Sequence, residues 1–388
     1  MNLLIDYSFK GSEGLNQIRE NLTRVFSQSP RKGWNICILT DKDKNVPGKK
    51  YSNVKYISTN FKVNTWFNKW IWTNFIFPKF LVQNDIDVFY SFHSNVTKRI
   101  KNVAGIVITI NNMLPFTKER MAKPHFFSFS KLRNVLLKHY YIKGMRIADA
   151  VVLHSYHSFT VLEEYSPALK EKVYIALTGV PFDIKFNLNG MAPHPNNGEK
   201  FFFYFSSIFP YKNHLNLLYS YKDALKERDL PDLLFAGIPG EKKYLQKILK
   251  RINELKIENK VRYLGIIDRN LIPSLIYYAE ANFFPSTCET NPVILTEIME
   301  NKGVIACSNL PPMPEIVKDA GFYFDPLSVQ SIKETIITII DNPSKTLEMK
   351  TLAYQRAKEL DWKDCENKIW EAVIASKNCF NYRKKEVI

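Results

Sequence analysis

ANFFPSTCETNPVILTEIMENKGVIAC, residues 281–307, contains a strand, a loop, a helix and a second strand in direct succession. ANFFP (281–285) and GVIAC (303–307) are short apolar runs of strand length, bounded by turn-forming residues. Between them, Asn291-Pro292 predicts a helix start, with Pro at the first helical position, where no amide donor is needed. Val293, Ile294, Ile298 and Met299 recur at helical spacing, so one face of a helix over 292–301 packs inward. The unit is therefore strand–helix–strand, the building block of a parallel sheet. Glu289 lies in the loop at the helix mouth, and Glu297 about one and a half turns into the helix. A helix N-terminus presents amide donors and the positive end of a dipole, which suits a phosphate. Two carboxylates flanking such a site can accept hydroxyl hydrogen bonds on both sides of it, the layout of a ribose, a diphosphate and a sugar.

Outward from this unit the same alternation continues. FFFYFSS (201–207), LLFAG (233–237), VRYLG (261–265) and GFYFD (321–325) read as further strands, with helical stretches such as EKKYLQKILKRINEL (241–255) between them. The first half repeats the pattern with LLID (3–6), NICILT (35–40), VKYIS (54–58), DVFYSF (87–92), GIVITI (105–110), AVVLHS (150–155) and KVYIAL (172–177). Such alternation predicts α/β architecture with doubly wound, mainly parallel sheets. KFNLNGMAPHPNNGEK (185–200) interrupts it with a polar run rich in Pro, Gly and Asn, the mark of a linker. The expected organisation is an N-terminal domain over 1–185, a linker over 186–200, a second domain over 201–365, and a C-terminal helix and tail over 366–388 returning to the first domain. A ligand is expected in the crevice at the carboxyl ends of the strands.

Composition narrows the class. The chain has 388 residues, enough for two cores, and 45% are hydrophobic, as in a folded soluble protein. Five cysteines (Cys37, Cys288, Cys307, Cys365 and Cys379) are scattered without metal-ligand spacing, which points to a reducing, cytoplasmic setting and away from a disulfide framework or zinc site. MNLLIDYSF reads as a strand rather than a signal peptide, and no apolar run is long enough to span a membrane. The net charge of +16 is lopsided: residues 1–185 carry 27 basic and 13 acidic residues, and residues 186–388 carry 27 and 25. The first half is thus expected to meet something anionic.

Residues 201–362 resemble the retaining glycosyltransferases of family 4, which have the GT-B architecture of two doubly wound Rossmann-like domains facing across a cleft. SSIFPYKN (206–213) resembles the family's first donor loop, and Lys212 matches a lysine that contacts the donor diphosphate. YLGIIDRNLIPSLIYYAEANFFPSTCE (263–289) resembles the run leading to the first Glu. GVIACSNLPPMPEIVKDAGFYFDP (303–326) resembles the segment after the second. The resemblance implies that Glu289 holds sugar hydroxyls and Glu297 ribose hydroxyls, and that the first domain binds the acceptor and the second the donor. Gly14 matches a glycine-containing loop ahead of the first helix. Asn111, in INNMLPF (110–116), stands where the family has a histidine facing the donor sugar. Ser206-Ser207 replaces a Gly-Arg pair, which removes one phosphate cation and places more of that task on Lys212. Thr290-Asn291-Pro292, followed by Val293, replaces a glycine-rich run.

Other features carry weaker expectations. Asp85-Ile86-Asp87 has the form of a divalent-metal motif but precedes a strand, so it is expected to be an exposed loop end. His93, after that strand, faces the expected crevice and is a candidate base or acceptor ligand. The basic, aromatic segment 118–146 predicts a helix from Lys131. Leu132, Val135, Leu136, His139 and Ile142 would share one face, and Lys131, Asn134 and Lys138 another. With Arg133, this helix would suit an anionic bilayer or simply pack on the sheet. The aromatic run WFNKWIWTNFIF (66–77) is expected either to line an acceptor groove or to be core.

These features lead to the expectation of a retaining transferase. It would move a sugar from a UDP- or GDP-linked donor to a hydroxyl of a glycan or lipid-linked acceptor in cell-surface polysaccharide or lipopolysaccharide synthesis. No metal cofactor is required, and peripheral contact with an anionic membrane is expected. A nucleotide-sugar epimerase of the same architecture and an inactive nucleotide-sugar-binding protein remain alternatives. A nucleic-acid partner is disfavoured, because the basic residues form no recognition motif.

Overall fold

The computed structural model describes residues 1–8, 13–41, 50–59, 65–117, 128–184, 186–187, 192, 194 and 196–386. These divide into two units. Unit 1 contains the described residues of Met1–Phe116, Ser130–Thr178 and Asp361–Ile388; unit 2 contains those of Thr117–Phe129 and Gly179–Leu360.

Unit 1 is built on β1 (Asn2–Asp6), β2 (Asn35–Asp41), β3 (Val54–Thr59), β4 (Val88–Ser91), β5 (Gly105–Thr109), β6 (Ala150–Leu153) and β7 (Val173–Ile175). All neighbours are parallel, in the order β3-β2-β1-β4-β5-β6-β7. Its helices are α1 (Glu13–Gln28), α2 (Trp66–Ile71), a π-helical turn (Trp72–Ile76), α3 (Phe77–Gln83), α4 (Lys98–Lys101), α5 (Ser128–Ile147) and α6 (Tyr156–Glu163). Unit 2 has β8 (Phe201–Phe205), β9 (Asp232–Ala236), β10 (Val261–Tyr263), β11 (Ala281–Phe284), β12 (Ile305–Ser308) and β13 (Phe322–Phe324), parallel in the order β10-β9-β8-β11-β12-β13. Around them lie α7 (His214–Ala224), α8 (Lys242–Glu254), α9 (Ile272–Tyr278), α10 (Val293–Glu300), α11 (Met313–Val317), α12 (Val329–Asp341) and α13 (Pro343–Lys358).

Every strand forms where an apolar run stands. Parallel strands covered on both faces need side chains that are apolar on both faces, and all five residues of β8 are buried. In α1, Leu15, Ile18, Leu22, Val25 and Phe26 form the buried stripe.

The last helix, α14 (Trp362–Glu386), lies on the unit 1 sheet and against α1. Trp370 is buried between Phe26 and Trp34, at ring-centroid distances of 5.3 and 5.5 Å, and its indole N–H donates to Glu366 at 3.1 Å. Gly105 lets α14 come this close: a β-carbon there would sit 2.7 Å from the Ser376 carbonyl oxygen.

Three expectations shift. The chain enters unit 2 at Gly179, ahead of the expected linker at 186–200. Described residues of that stretch pack on unit 2: the His194 ring lies 4.8 Å from Tyr278, and Ala192 N–H donates to Ser274 at 2.9 Å. His194 Nδ1 also accepts from Gly198 N–H at 3.0 Å. Gly14 is the second residue of α1 rather than part of a preceding loop. Pro292 precedes α10 instead of opening it: its ψ of 69° is not helical, and Val293 N–H turns back to the Asn291 carbonyl at 2.9 Å.

Candidate functional site

In unit 2 the strand order reverses between β8 and β11, and loops leave the carboxyl ends of both strands at this switch point, the place where open parallel sheets bind ligands. Those loops carry most of the residues singled out in this half. Thr287 ties them together, its N–H and hydroxyl both donating to the Tyr211 carbonyl, at 2.8 and 3.1 Å. As a result Lys212 and Glu289 meet, Nζ to Oε1 at 2.5 Å, with both side chains about nine-tenths buried. The Lys212 ammonium also lies 5.0 Å above the Phe284 ring. Its backbone is pinned: Tyr204 donates its hydroxyl to the Lys212 carbonyl at 2.7 Å, and Asn213 turns the chain into α7 at a φ of 60°. Ser206 is buried, its N–H donating to the Ala236 carbonyl at 3.0 Å and its hydroxyl to the Ser207 carbonyl at 3.3 Å. Ser207 is half-buried.

An ion pair this dry holds together only while its geometry is kept. A ligand that brings both an anion and a hydroxyl could replace each partner, the anion meeting Lys212 and the hydroxyl donating to Glu289. A purely apolar or purely cationic ligand could not. Neighbouring Cys288 is no nucleophile: burial first, then the adjacent Glu289 charge, pushes its thiol up to about 12, so the thiolate is absent at neutral pH.

Thr290, Asn291, Pro292 and Val293 connect this pair to α10. Two of the first amides are already engaged, Val293 with Asn291 and Leu295 with the Pro292 carbonyl at 2.9 Å. That reduces the expected amide cradle at this helix mouth. Glu297 follows, 2% exposed, with Oε1 accepting from Arg269 Nη2 at 2.8 Å. Arg269 reaches Asp183 through Nε. Burial opposes its charge, but Glu297 and Asp183 outweigh that and hold its pKa above the ordinary guanidinium value. Sequence reasoning assigned Arg269 no role. The available signal was an arginine just beyond Gly265, in the loop after β10 at the same edge of the sheet.

Unit 1 assembles a second polar cluster at its own switch point, between β1 and β4. Asp6 is buried, accepting from the N–H and hydroxyl of Ser8 at 2.9 and 2.5 Å, and burial raises its pKa. Arg19 Nη2 meets His93 Nε2 at 2.8 Å. Burial, then Arg19 and Lys69, lowers His93 to about 3, so it is neutral at pH 7. With the guanidinium at Nε2, that nitrogen is an acceptor already in use, which argues against His93 as a free base. Asn111 Nδ2 donates to the Phe92 carbonyl at 3.1 Å, which sets it beside the His93 loop. Arg19 was missed as well, although a charge on the otherwise apolar stripe of α1 is a readable signal.

The remaining candidates lie apart from these clusters. Asp85 is exposed at a φ of 53°, while Asp87 accepts from the Asn2 N–H at 2.7 Å and pairs with Lys377. Among the described residues, no group of three or more His, Cys, Asp or Glu could hold a metal ion. On α5, Arg133 is exposed and the side chain of Lys131 lies outside the described residues. Lys138 does not face outward as expected: its ammonium lies 3.9 Å above the Tyr165 ring and 5.9 Å from Phe116. Among the described residues no helix is long and apolar enough to cross a membrane.

Comparison with known proteins bears on the fold. The O-antigen chain mannosyltransferase B of Escherichia coli is 28% identical over 164 residues, 42% of each chain. The alpha-monoglucosyldiacylglycerol synthase of Streptococcus pneumoniae is 28% identical over 160 residues, 40% of this chain and 35% of that one. The matched segments thus span less than half the length of these relatives. The crystal structure of Anabaena HepE in complex with UDP-glucose superposes with a TM-score of 0.70 at 18% identity, covering 97% of this chain and all of that one. The fold is therefore α/β with two parallel-sheet Rossmann-like domains, that of GT-B glycosyltransferases, and residues 191–356 match the family model of glycosyl transferases group 1.

Proposed function

We propose that the protein transfers a sugar from a nucleoside diphosphate sugar to a hydroxyl acceptor, with retention of anomeric configuration. The observation that carries this is the Lys212–Glu289 pair at the β8/β11 switch point, with Glu297 of α10 held by Arg269 from the loop after β10. The donor diphosphate takes Lys212, whose point charge offsets the charge developing on the leaving group. The sugar hydroxyls take Glu289, and the ribose hydroxyls take Glu297. Positioning and charge supply the catalysis, and no metal is required. Support comes from the similarity of residues 191–356 to glycosyl transferases group 1, and from relatives named for mannosyl and glucosyl transfer. The acceptor is a growing cell-surface glycan on a lipid carrier, met by the basic unit 1 at an anionic membrane surface.

The test is a thermal-shift and hydrolysis screen against UDP-, GDP- and dTDP-sugars, with Glu297→Ala as control and product anomers read by NMR. One donor class should stabilise the wild type and not the variant. If no nucleotide sugar stabilises the wild type, the reading fails.

A further inference from the structure

The exposed side of the continuous helical run α2–π turn–α3 carries an unusual surface. Phe67, Trp70 and Phe75 are 58%, 46% and 41% exposed, and Lys79 and Val82 continue the same stripe. The rings touch: Phe67 stacks on Trp70 at 6.4 Å, and Trp70 meets Phe75 edge-on at 5.4 Å. On a regular α-helix, positions 70 and 75 would diverge, because each residue advances about 100°. The π turn removes that divergence. Phe77 N–H donates to the Trp72 carbonyl, five residues back, and this wider turn returns Phe75 beneath Trp70. The inner face is realigned by the same turn, with Trp72, Phe77 and Leu81 buried. The outer stripe is thus a built feature of the backbone and not scattered exposure.

The segments that carry and flank it in sequence are cationic. Residues 65–117 and 128–147 contain ten Lys and Arg against two acidic residues, Asp85 and Asp87. Asp87 is already paired with Lys377. Arg99 of α4 lies 4.4 Å above the Phe75 ring. Lys69 lies 5.8 Å from Tyr140 of α5, and Leu136, one turn before Tyr140 on the same face, is exposed together with Val135. Aromatic rings, aliphatic side chains and flanking cations on one face are what a lipid headgroup boundary accommodates.

We infer that the Phe67–Trp70–Phe75 stripe, rimmed by Lys79 and Arg99, docks unit 1 onto an anionic lipid bilayer. This rests on the proposed function for its purpose, a lipid-linked acceptor, and locates the contact on a surface other than the expected Lys131–Lys138 face of α5. A single-stranded nucleic acid is the weaker occupant. Base stacking needs open ring faces, and here the rings pack on one another and Arg99 occupies Phe75.

The experiment is co-flotation with vesicles of phosphatidylcholine alone and of phosphatidylcholine mixed with phosphatidylglycerol. Wild type should float with the mixed vesicles and release with salt. Phe67→Ser/Trp70→Ser/Phe75→Ser should lose at least about tenfold in vesicle affinity. Because these side chains are exposed, its melting temperature should stay near wild type. Lys79→Gln/Arg99→Gln should weaken binding by about fivefold per charge and flatten the salt dependence. Equal flotation of the aromatic triple variant would overturn the inference. So would no flotation of wild type, equal flotation on neutral vesicles, or a stripe that instead supports oligonucleotide binding or self-association. The donor thermal shift, run on the same samples, separates this from the transferase reading. Vesicle binding without any donor response leaves the surface standing and removes the transferase, and a donor response without vesicle binding does the reverse.

Discussion

Glu297 is a carboxylate at 2% exposure whose Oε1 is held by Arg269, itself bridged to Asp183. If Glu297 receives ribose hydroxyls, Arg269 sets the orientation in which it does so, acting as a positioning residue. Arg269→Ala should raise the donor KM by about tenfold with a smaller change in kcat, the signature of lost binding common to ground and transition states. Arg269→Lys should recover part of the loss by restoring charge without the fork. Stability should fall by about 2 kcal/mol in chemical denaturation, less than for a fully buried pair because Arg269 is partly exposed. Initial rates at varied donor concentration separate the outcomes: an unchanged KM in Arg269→Ala would remove Arg269 from the site. Lys212, Glu289 and Glu297 were legible in the sequence because loop position and helix spacing are local properties. Arg269 was not, since its partner lies 28 residues away and neither periodicity nor turn chemistry marks a pairing across a sheet edge. Lys138 shows the converse. Its place on a helix face was readable, but the aromatic rings that capture it come from elsewhere in the chain.

At the scale of elements, the thirteen strands among the described residues stand where apolar runs predict them, because a parallel sheet covered on both faces leaves little room for another pattern. The helical run over 66–83 was less legible. Its aromatic density fits either an acceptor groove or core, and only the π turn shows which rings face outward. The loops at the β8/β9 edge depend on a single backbone position. Gly237 has a φ of 145°, its N–H donates to the Gly265 carbonyl at 2.8 Å, and a β-carbon there would lie 1.8 Å from the Ser206 carbonyl oxygen. No side chain can yield to relieve a clash with backbone. Gly237→Ala should therefore destabilise unit 2 by at least about 3 kcal/mol and displace the Ser206–Lys212 loop. Donor-induced thermal stabilisation should vanish even at temperatures where the variant is still folded. A variant that kept wild-type donor affinity would show that this loop is not part of the site.

Across the whole molecule, the chain leaves unit 1 at Thr178, builds unit 2, and returns at Asp361 to lay α14 on the first sheet. Each unit also encloses a histidine that burial keeps neutral: His93 in unit 1 and His214 in unit 2, both lowered to about 3, desolvation being the largest cause in each. In the unfolded chain these groups take up protons near pH 6.5, whereas in the folded chain they resist doing so. The unfolded state thus binds more protons below that pH. The contribution is fully present above 6.5 and is lost as pH falls toward 3, at about 1.4 kcal/mol per pH unit for each histidine. Asp6 acts in the opposite sense: its raised pKa favours the folded state on acidification, offsetting part of the loss in unit 1 near the carboxylate range. For His214 the second cause, the Lys212 charge, lowers the pKa in the same sense as burial. The His214 ring lies 4.5 Å from that of Tyr204, and neither of its nitrogens has a hydrogen-bond partner among the described residues. His214→Phe should therefore be neutral or stabilising at pH 7.5, because an apolar ring suits that site. It should also flatten the acid limb of unit 2 unfolding between pH 6.5 and 4.5. Urea midpoints followed across that range, with the two units resolved by separate probes, would measure both effects. An unchanged slope in His214→Phe would mean that another group carries the acid sensitivity of unit 2.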